Sequence, residues 1–298
     1  MNARYLIVNA DDFGLTPAGD SAIDALFSAG RITSTTILAP ARYAAEACRS
    51  AREKGLAVGV HWTLHAEWAD ERWQPCAGAA RVPSLCENGA LIPDARRMGK
   101  RAKSGDVTCE LTAQVEFLRA HGVAPDHADS HGGTLYGING RLFFLNAFRL
   151  CKTYDLPFRF PRSSAFLRRQ FGREPGAPLR AAHAAIAGTA KRFGVRLLDD
   201  FITNPYRAEK IGGYAALAAY YERELVLAGA GITEVFLHPS LPDEALLRRT
   251  GEWQKRVWEY EYLCSDAFKN LVEREGFILC SWGDAPFGRK ENGKTSEP

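Results

Sequence analysis

Adjacent carboxylates at Asp11-Asp12, a histidine at His61, an alternating His127, Asp129 and His131 set, and a histidine–proline pair at His238-Pro239 are the residues best suited to chemistry. Aspartate oxygens and neutral imidazole nitrogens hold zinc and similar divalent ions with a position left for water. On an extended chain Asp11 and Asp12 point opposite ways, so one can ligate a cation while the other contacts a water or a supporting group. An Asx-type turn, with one of them capping the next helix, is the competing reading. Period two puts His127, Asp129 and His131 on one face of a strand. For His127 a supporting or purely structural role is favoured over ligation. Pro239 restricts His238 to extended geometry and makes its ring project from the chain; that suits a proton donor, or a satisfied core histidine. Arg159, between Phe158 and Phe160, suits a bidentate pair with a carboxylate, and a structural ion pair would look the same. His65 and His183 have no such company, and His121 reads as the last residue of a helix.

The elements that must position these groups alternate along the chain. Leu6-Ile7-Val8 is a buried-strand run that ends in Asp11-Asp12-Phe13-Gly14. Thr16-Pro17 reads as a helix start and Gly30 as its stop. Strands over Thr33–Leu38 and Ala57–His61 flank an Ala-rich helix, Tyr43–Lys54, closed by Gly55. Further on, Asp126–His131, Pro157–Phe160, Arg196–Leu198, Thr233–Leu237 and Phe277–Cys280 read as strands, eight in all. Helices are predicted over Leu111–His121, Leu142–Tyr154, Leu179–Phe193 and Tyr214–Leu227, and as one long element from about Gln254 to Arg274. This βαβ rhythm implies parallel strands with crossover helices. In barrels of that kind the active site is assembled from different strand ends on one rim. Asp11-Asp12, His61, Asp129-x-His131 and His238 all fall there. The rhythm breaks between about Glu67 and Gly105, which reads as a long loop or lid. The arginine-rich stretch Arg162–Arg180 reads as a solvated excursion or a substrate-side insertion.

Composition bounds the rest. With 298 residues, 46% hydrophobic and 24% charged, the chain can bury a full core without disulfide or metal staples. Its 38 basic and 35 acidic residues leave a formal charge of +3, too balanced to imply nucleic acid or an anionic membrane. Seven cysteines without a C-x-x-C pair read as reduced thiols, and the cytoplasm is the expected location. The apolar start is too short for a signal-peptide core, and no run is long enough to span a bilayer. There is no glycine-rich phosphate loop. The tail from Gly288 is polar and is expected to fray.

The segments Asn9-Ala10-Asp11-Asp12-Phe13-Gly14-Leu15, Arg31-Ile32-Thr33-Ser34-Thr35-Thr36, Gly59-Val60-His61, Asp129-Ser130-His131 and His238-Pro239 occur here in the order seen in YdjC-like carbohydrate deacetylases. The chain resembles that family over about residues 5–240. The resemblance implies a distorted (β/α) barrel related to polysaccharide deacetylases, an α/β fold with residues 1–287 as a single domain carrying loop insertions. It implies removal of an N-acetyl group from an acetylated sugar or sugar-containing lipid, with one divalent cation, zinc or magnesium. It also implies Asp12, His61 and His131 as ligands, Asp11 as base and His238 as acid, with a homodimer as a family-level expectation. Arg159, His127, Asp129, Trp62 and Tyr136 are then expected to touch substrate or back the ligands. Aromatic faces at Trp62, Trp68, Trp73 and Tyr136 suit pyranose rings, although core packing is the favoured reading for each of them. One departure stands out: where relatives continue with further histidines, His131 is followed by Gly132-Gly133. A metal-dependent amidase or esterase on a non-sugar substrate, a phosphohydrolase using the same ligand types though without a clear phosphate cradle, and a non-catalytic sugar-binding protein with a structural metal are the competing functions.

Overall fold

The computed structural model describes residues 3–287; the polar tail expected at 288–298 lies outside the described residues. Its elements run β1 (Arg4–Phe13), α1 (Pro17–Ser28), β2 (Ser34–Ile37), α2 (Ala44–Lys54) and β3 (Val58–Trp62). Then come β4 (Cys86–Glu87), β5 (Ala90–Leu91), α3 (Ala95–Arg101), α4 (Ser104–Ala120), β6 (Ala128–Ser130), α5 (Phe144–Tyr154) and β7 (Phe158–Pro161). The remainder is α6 (Ala165–Phe171), α7 (Ala177–Phe193), β8 (Leu197–Leu198), β9 (Asp200–Ile202), α8 (Ala208–Ile211), α9 (Tyr214–Val226), β10 (Gly231–Leu237), α10 (Glu244–Arg249), α11 (Trp253–Cys264), α12 (Asp266–Arg274) and β11 (Ile278–Leu279). The first helix starts as its sequence predicts: the Thr16 hydroxyl accepts the Gly19 N–H at 3.1 Å and Pro17 opens the first turn.

Nine strands form one all-parallel sheet in the order β8-β7-β6-β3-β2-β1-β10-β9, with β11 against the start of β1. Only Asp199 separates β8 from β9. The first pairs with β7 and the second with β10. Between them the Asp199 N–H donates to the Ile232 carbonyl at 2.9 Å, and the Asp199 carboxylate accepts the Ile232 N–H at 2.8 Å. Residues 197–202 therefore join the two ends of the sheet and close a distorted barrel.

Register places the strand-end groups. Ala10 pairs with Leu237, so Asp11 and His238 leave neighbouring strands at one level. His61 pairs directly with Asp129. Along β1 the alternation splits the core: Leu6, Val8 and Ala10 pack into the large helix-facing cluster, while Ile7 joins Leu198, Phe201, Ile232 and Trp282 in a small separate one. The barrel interior is thus apolar at its floor and polar from Asn9 and Asp11 upward.

Three expectations need correction. The segment from 67 to 105 is an ordered strap carrying the β4–β5 hairpin and α3, and α4 starts at Ser104 rather than near Leu111. Buried Trp73, Leu85, Leu91, Ile92 and Met98 pin it, and the Glu110 carboxylate accepts the Cys76 and Ala77 N–H groups. Residues 162–180 are not a loop-like excursion but contain α6 and the start of α7. The long C-terminal helix is two helices, because Ser265 turns its hydroxyl to the Phe268 N–H and starts α12. Among the described residues no helix is long and apolar enough to cross a membrane.

Candidate metal centre and hydrolytic site

The end of β1 solves the opposite-direction problem of two adjacent carboxylates. Asp12 has φ = 71°, a left-handed conformation rarely taken by non-glycine residues, and the β1–β2 register shifts between Ala10 and Phe13. This turn lets both side chains contribute to one site. Asp11 is bound from two sides: Arg159 donates Nη1 to Oδ2 at 2.7 Å and Nη2 to Oδ1 at 2.9 Å, and Asn9 donates to Oδ1 at 2.7 Å. The same guanidinium donates Nε and Nη2 to Glu234 at 2.7 and 2.9 Å, and its Nη1 lies 2.6 Å from Asp129 Oδ2. Arg159 therefore serves three buried carboxylates. Burial works against its charge, but Asp11, Asp129 and Glu234 hold its pKa well above the ordinary value. Burial raises the Glu234 pKa, and Arg159 offsets this only in part.

Asp12 Oδ1 lies 3.4 Å from His61 Nε2 and 3.5 Å from His131 Nδ1, and the three donor atoms are all within 4.8 Å of one another. That oxygen is buried and has no hydrogen-bond partner. Donors about 2.1 Å from a tetrahedral ion sit about 3.4 Å apart, so the grouping fits a divalent cation in size as well as chemistry. The other Asp12 oxygen accepts Arg256 Nη2 at 2.7 Å, which leaves Oδ1 as the free donor. His61 is oriented from behind: its Nδ1 lies 2.6 Å from Asp129 Oδ1 and 3.2 Å from the Thr36 hydroxyl. Electrostatics agree with the geometry. Burial resists ionisation of Asp12, yet Arg256, His131 and His61 hold its carboxyl well below the usual range. Burial also disfavours charged imidazoles, but the surrounding carboxylates, Asp129 and Asp12 foremost, push His61 up to about 10. Asp12 and Glu67 push His131 up to about 9.

His238 directly follows β10 beside this group. Its N–H donates to Glu259 Oε2 at 2.7 Å, and its Nε2 lies 3.8 Å from Asp11 Oδ2. With 30% of its side chain exposed, it reaches solvent where Asp11, Asp12, His61 and His131 do not. Burial lowers its pKa, partly countered by Asp12 and Asp11.

The other sequence-derived residues separate into two groups. Asp129 backs both His61 and Arg159. His127 lies deeper, stacked on Trp282 at 4.5 Å and bonded to Asp126 at 2.6 Å. Trp62 is a correction: it alternates away from His61 into the helix-facing core, fully buried, with Nε1 donating to the Leu111 carbonyl. Tyr136 packs among Phe144, Phe158 and Phe160 and donates its hydroxyl to the Arg159 carbonyl at 2.7 Å, a tether for β7 rather than a surface for a ligand. Among the neighbouring tryptophans, Trp73 comes within 6.0 Å of the His131 ring. His121 and His183 bond to the Phe117 and Pro161 carbonyls. His65 is a second correction, because its ring stacks on His131 at 5.1 Å.

Sequence reading missed Asn9, Glu67, Glu234, Arg256 and Glu259. Asn9 and Glu234 carried a usable signal, a polar residue on the inward face of an otherwise apolar strand. Arg256 and Glu259 carried none, since spacing of three on a mixed helix is ordinary; only the fold brings α11 over the β1 and β10 ends.

Residues 5–274 match the family model described as YdjC-like protein. A carbohydrate deacetylase of Enterococcus faecalis is 29% identical over 95% of this chain and 98% of its own. A chitooligosaccharide deacetylase of Proteus mirabilis is 28% identical over 95% of this chain and 99% of its own. The solved structure of an Enterococcus faecalis protein, described as a candidate cellobiose-phosphate cleavage protein, superposes with a TM-score of 0.75 at 27% identity, covering 94% of this chain and 98% of that one.

Proposed function

Because the chain belongs to the YdjC-like family, we propose that it is a metal-dependent hydrolase that removes an N-acetyl group from an acetylated sugar or sugar-containing lipid. The observation that carries this reading is the adjacency of Asp12, His61 and His131, three donors sized for a cation, to two further titratable groups, Asp11 and His238; Asp11 also groups with His61 and Asp129, but Arg159 already engages both of its oxygens. Asp12, His61 and His131 would hold the ion, and their imidazole-rich chemistry favours zinc over magnesium. When bound, such an ion supplies Lewis-acid polarisation to the acetyl carbonyl and to water.

Asp11 accepts the proton of the attacking water. Its two hydrogen bonds from Arg159 and one from Asn9 keep the carboxylate oriented and available as a base. His238 delivers a proton to the departing amine nitrogen, which otherwise leaves poorly. Its partial exposure suits that contact, and the Glu259 bond to its backbone fixes where the ring starts. The seven cysteines, all free, support a reducing compartment, the cytoplasm.

Mass spectrometry of N-acetylated sugars, glycolipids and non-sugar acetyl amides and esters after incubation with the protein tests the proposal. The expected result is a loss of about 42 Da from N-acetylated sugar compounds, abolished by a chelator and restored by zinc. Loss confined to non-sugar compounds, or no metal-sensitive loss at all, would overturn it.

A further inference from the structure

Two side chains from the segment leaving β3 converge on His131. Glu67 Oε2 lies 2.8 Å from His131 Nε2, on the ring edge opposite the Nδ1 that faces Asp12. The His65 ring lies over the same imidazole at 5.1 Å with planes 25° apart. Gly132 makes the second contact possible: with φ = +53°, it carries no Cβ, and one there would come within 2.9 Å of His65 Cε1.

A neutral imidazole has one nitrogen lone pair. If Nδ1 is given to a cation, the ring proton sits on Nε2 and needs an acceptor. A carboxylate in that place fixes both the tautomer and the ring orientation of a ligating histidine. His65, Glu67 and His131 also form a donor group compact enough for an ion of its own. His131 cannot ligate through both nitrogens without becoming an imidazolate, so the group reads more simply as support for the first centre.

We propose that Glu67 is a positioning residue for His131: its carboxylate, paired with Nε2 at 2.8 Å but not aligned as a hydrogen bond in this structure, takes the Nε2–H when Nδ1 is given to the cation, while His65 packs against the ring face. The proposal rests on the reading of Asp12, His61 and His131 as ligands. It would explain how the His131 ring is held in place with Gly132-Gly133 following it, through residues supplied by the segment after β3.

The test is zinc affinity by chelator competition on the full-length protein and on Glu67→Ala and Glu67→Gln, with 15N NMR of the histidine rings in the zinc-loaded proteins. In the wild type His131 should be protonated on Nε2. Glu67→Ala should weaken zinc about 10–100-fold and disturb the His131 ring signals, and Glu67→Gln, which keeps an acceptor oxygen, should recover part of both. Unchanged affinity and ring signals in Glu67→Ala would overturn the role of Glu67 and leave the metal centre standing. Failure of the wild type to bind zinc would overturn the centre itself, a separate and distinguishable result.

Discussion

Asp11 and Asp12 are consecutive in the chain, yet their carboxylates belong to different ion-pair networks, Asp11 to Arg159 and Asp12 to Arg256. The division depends on the left-handed backbone at Asp12, a strain of about 1–3 kcal/mol that persists only where surrounding structure over-determines it. The consequence is functional separation. Asp12 turns one oxygen to the two imidazoles, and Asp11 stays outside that donor set, held by the Arg159 guanidinium.

Replacing Asp11 with asparagine tests that separation. Arg159 keeps Asp129 and Glu234 as partners, so the variant should fold. Zinc affinity should change little, since Asp11 is not among the three donors. Turnover should fall roughly 10²–10⁴-fold, the contribution of a positioned base. Acetate release and zinc titration on the same preparation check it; near-wild-type turnover would remove Asp11 from the base role.

Which parts of this site could be read in advance follows from the range of the forces that build it. Strand ends were legible because apolar runs stop abruptly at Asp11, His61 and His238, and because period two, which groups His127, Asp129 and His131, is local. Even Arg159 was legible as a cation between two phenylalanines, although its carboxylates come from β1, β6 and β10. What failed was contact across the chain. Trp62 was assigned by its closeness in sequence to His61, yet alternation turns it to the opposite face. The strap at 67–105 lacks periodicity because it is held by buried tryptophans and the Glu110 carboxylate rather than by regular hydrogen bonding. His65 looked solitary because its partner, His131, lies on another strand's end.

Arg159 is the counter-ion for Asp11, Asp129 and Glu234, all nearly or fully buried. Arg159→Met, similar in length but uncharged, should destabilise the fold by about 3–5 kcal/mol, because the carboxylates are left buried without compensation. Those carboxylates would then take up protons, so the loss should be larger at pH 8 than at pH 5. Urea denaturation at the two pH values measures both. An unaltered midpoint would mean the network contributes little to folding.

Gly59 allows β3 to pass over His127. A Cβ at Gly59 would come within 2.3 Å of the His127 ring, which cannot retreat because Trp282 stacks against its face. Gly59→Ala should therefore cost about 1–3 kcal/mol or more through overpacking. Since His61 lies two residues on and pairs with Asp129, the variant should also weaken zinc binding. Thermal melting with and without zinc separates the two effects, and a wild-type melting temperature would show that the interior yields more easily than this stacking implies.

Asp20 provides a pH test away from the ligands. Its carboxylate accepts the Gly14 N–H at 2.7 Å, closing the turn after Asp12. Burial, with Asp24 and Glu46 nearby, pushes its pKa up to about 7, against the pull of the Gly14 bond. The sign follows from the raised value: in the folded state the group holds its proton above the pH at which the unfolded chain releases it. Its contribution to stability is full below about pH 4 and is lost as pH rises through about 7. Asp20→Asn keeps an oxygen for Gly14 but does not titrate. Between pH 5 and pH 8 the wild type should therefore lose stability relative to the variant, which calorimetric melting of both proteins across that range would record. Parallel curves would mean that Asp20 ionises in the folded protein as freely as in the unfolded chain.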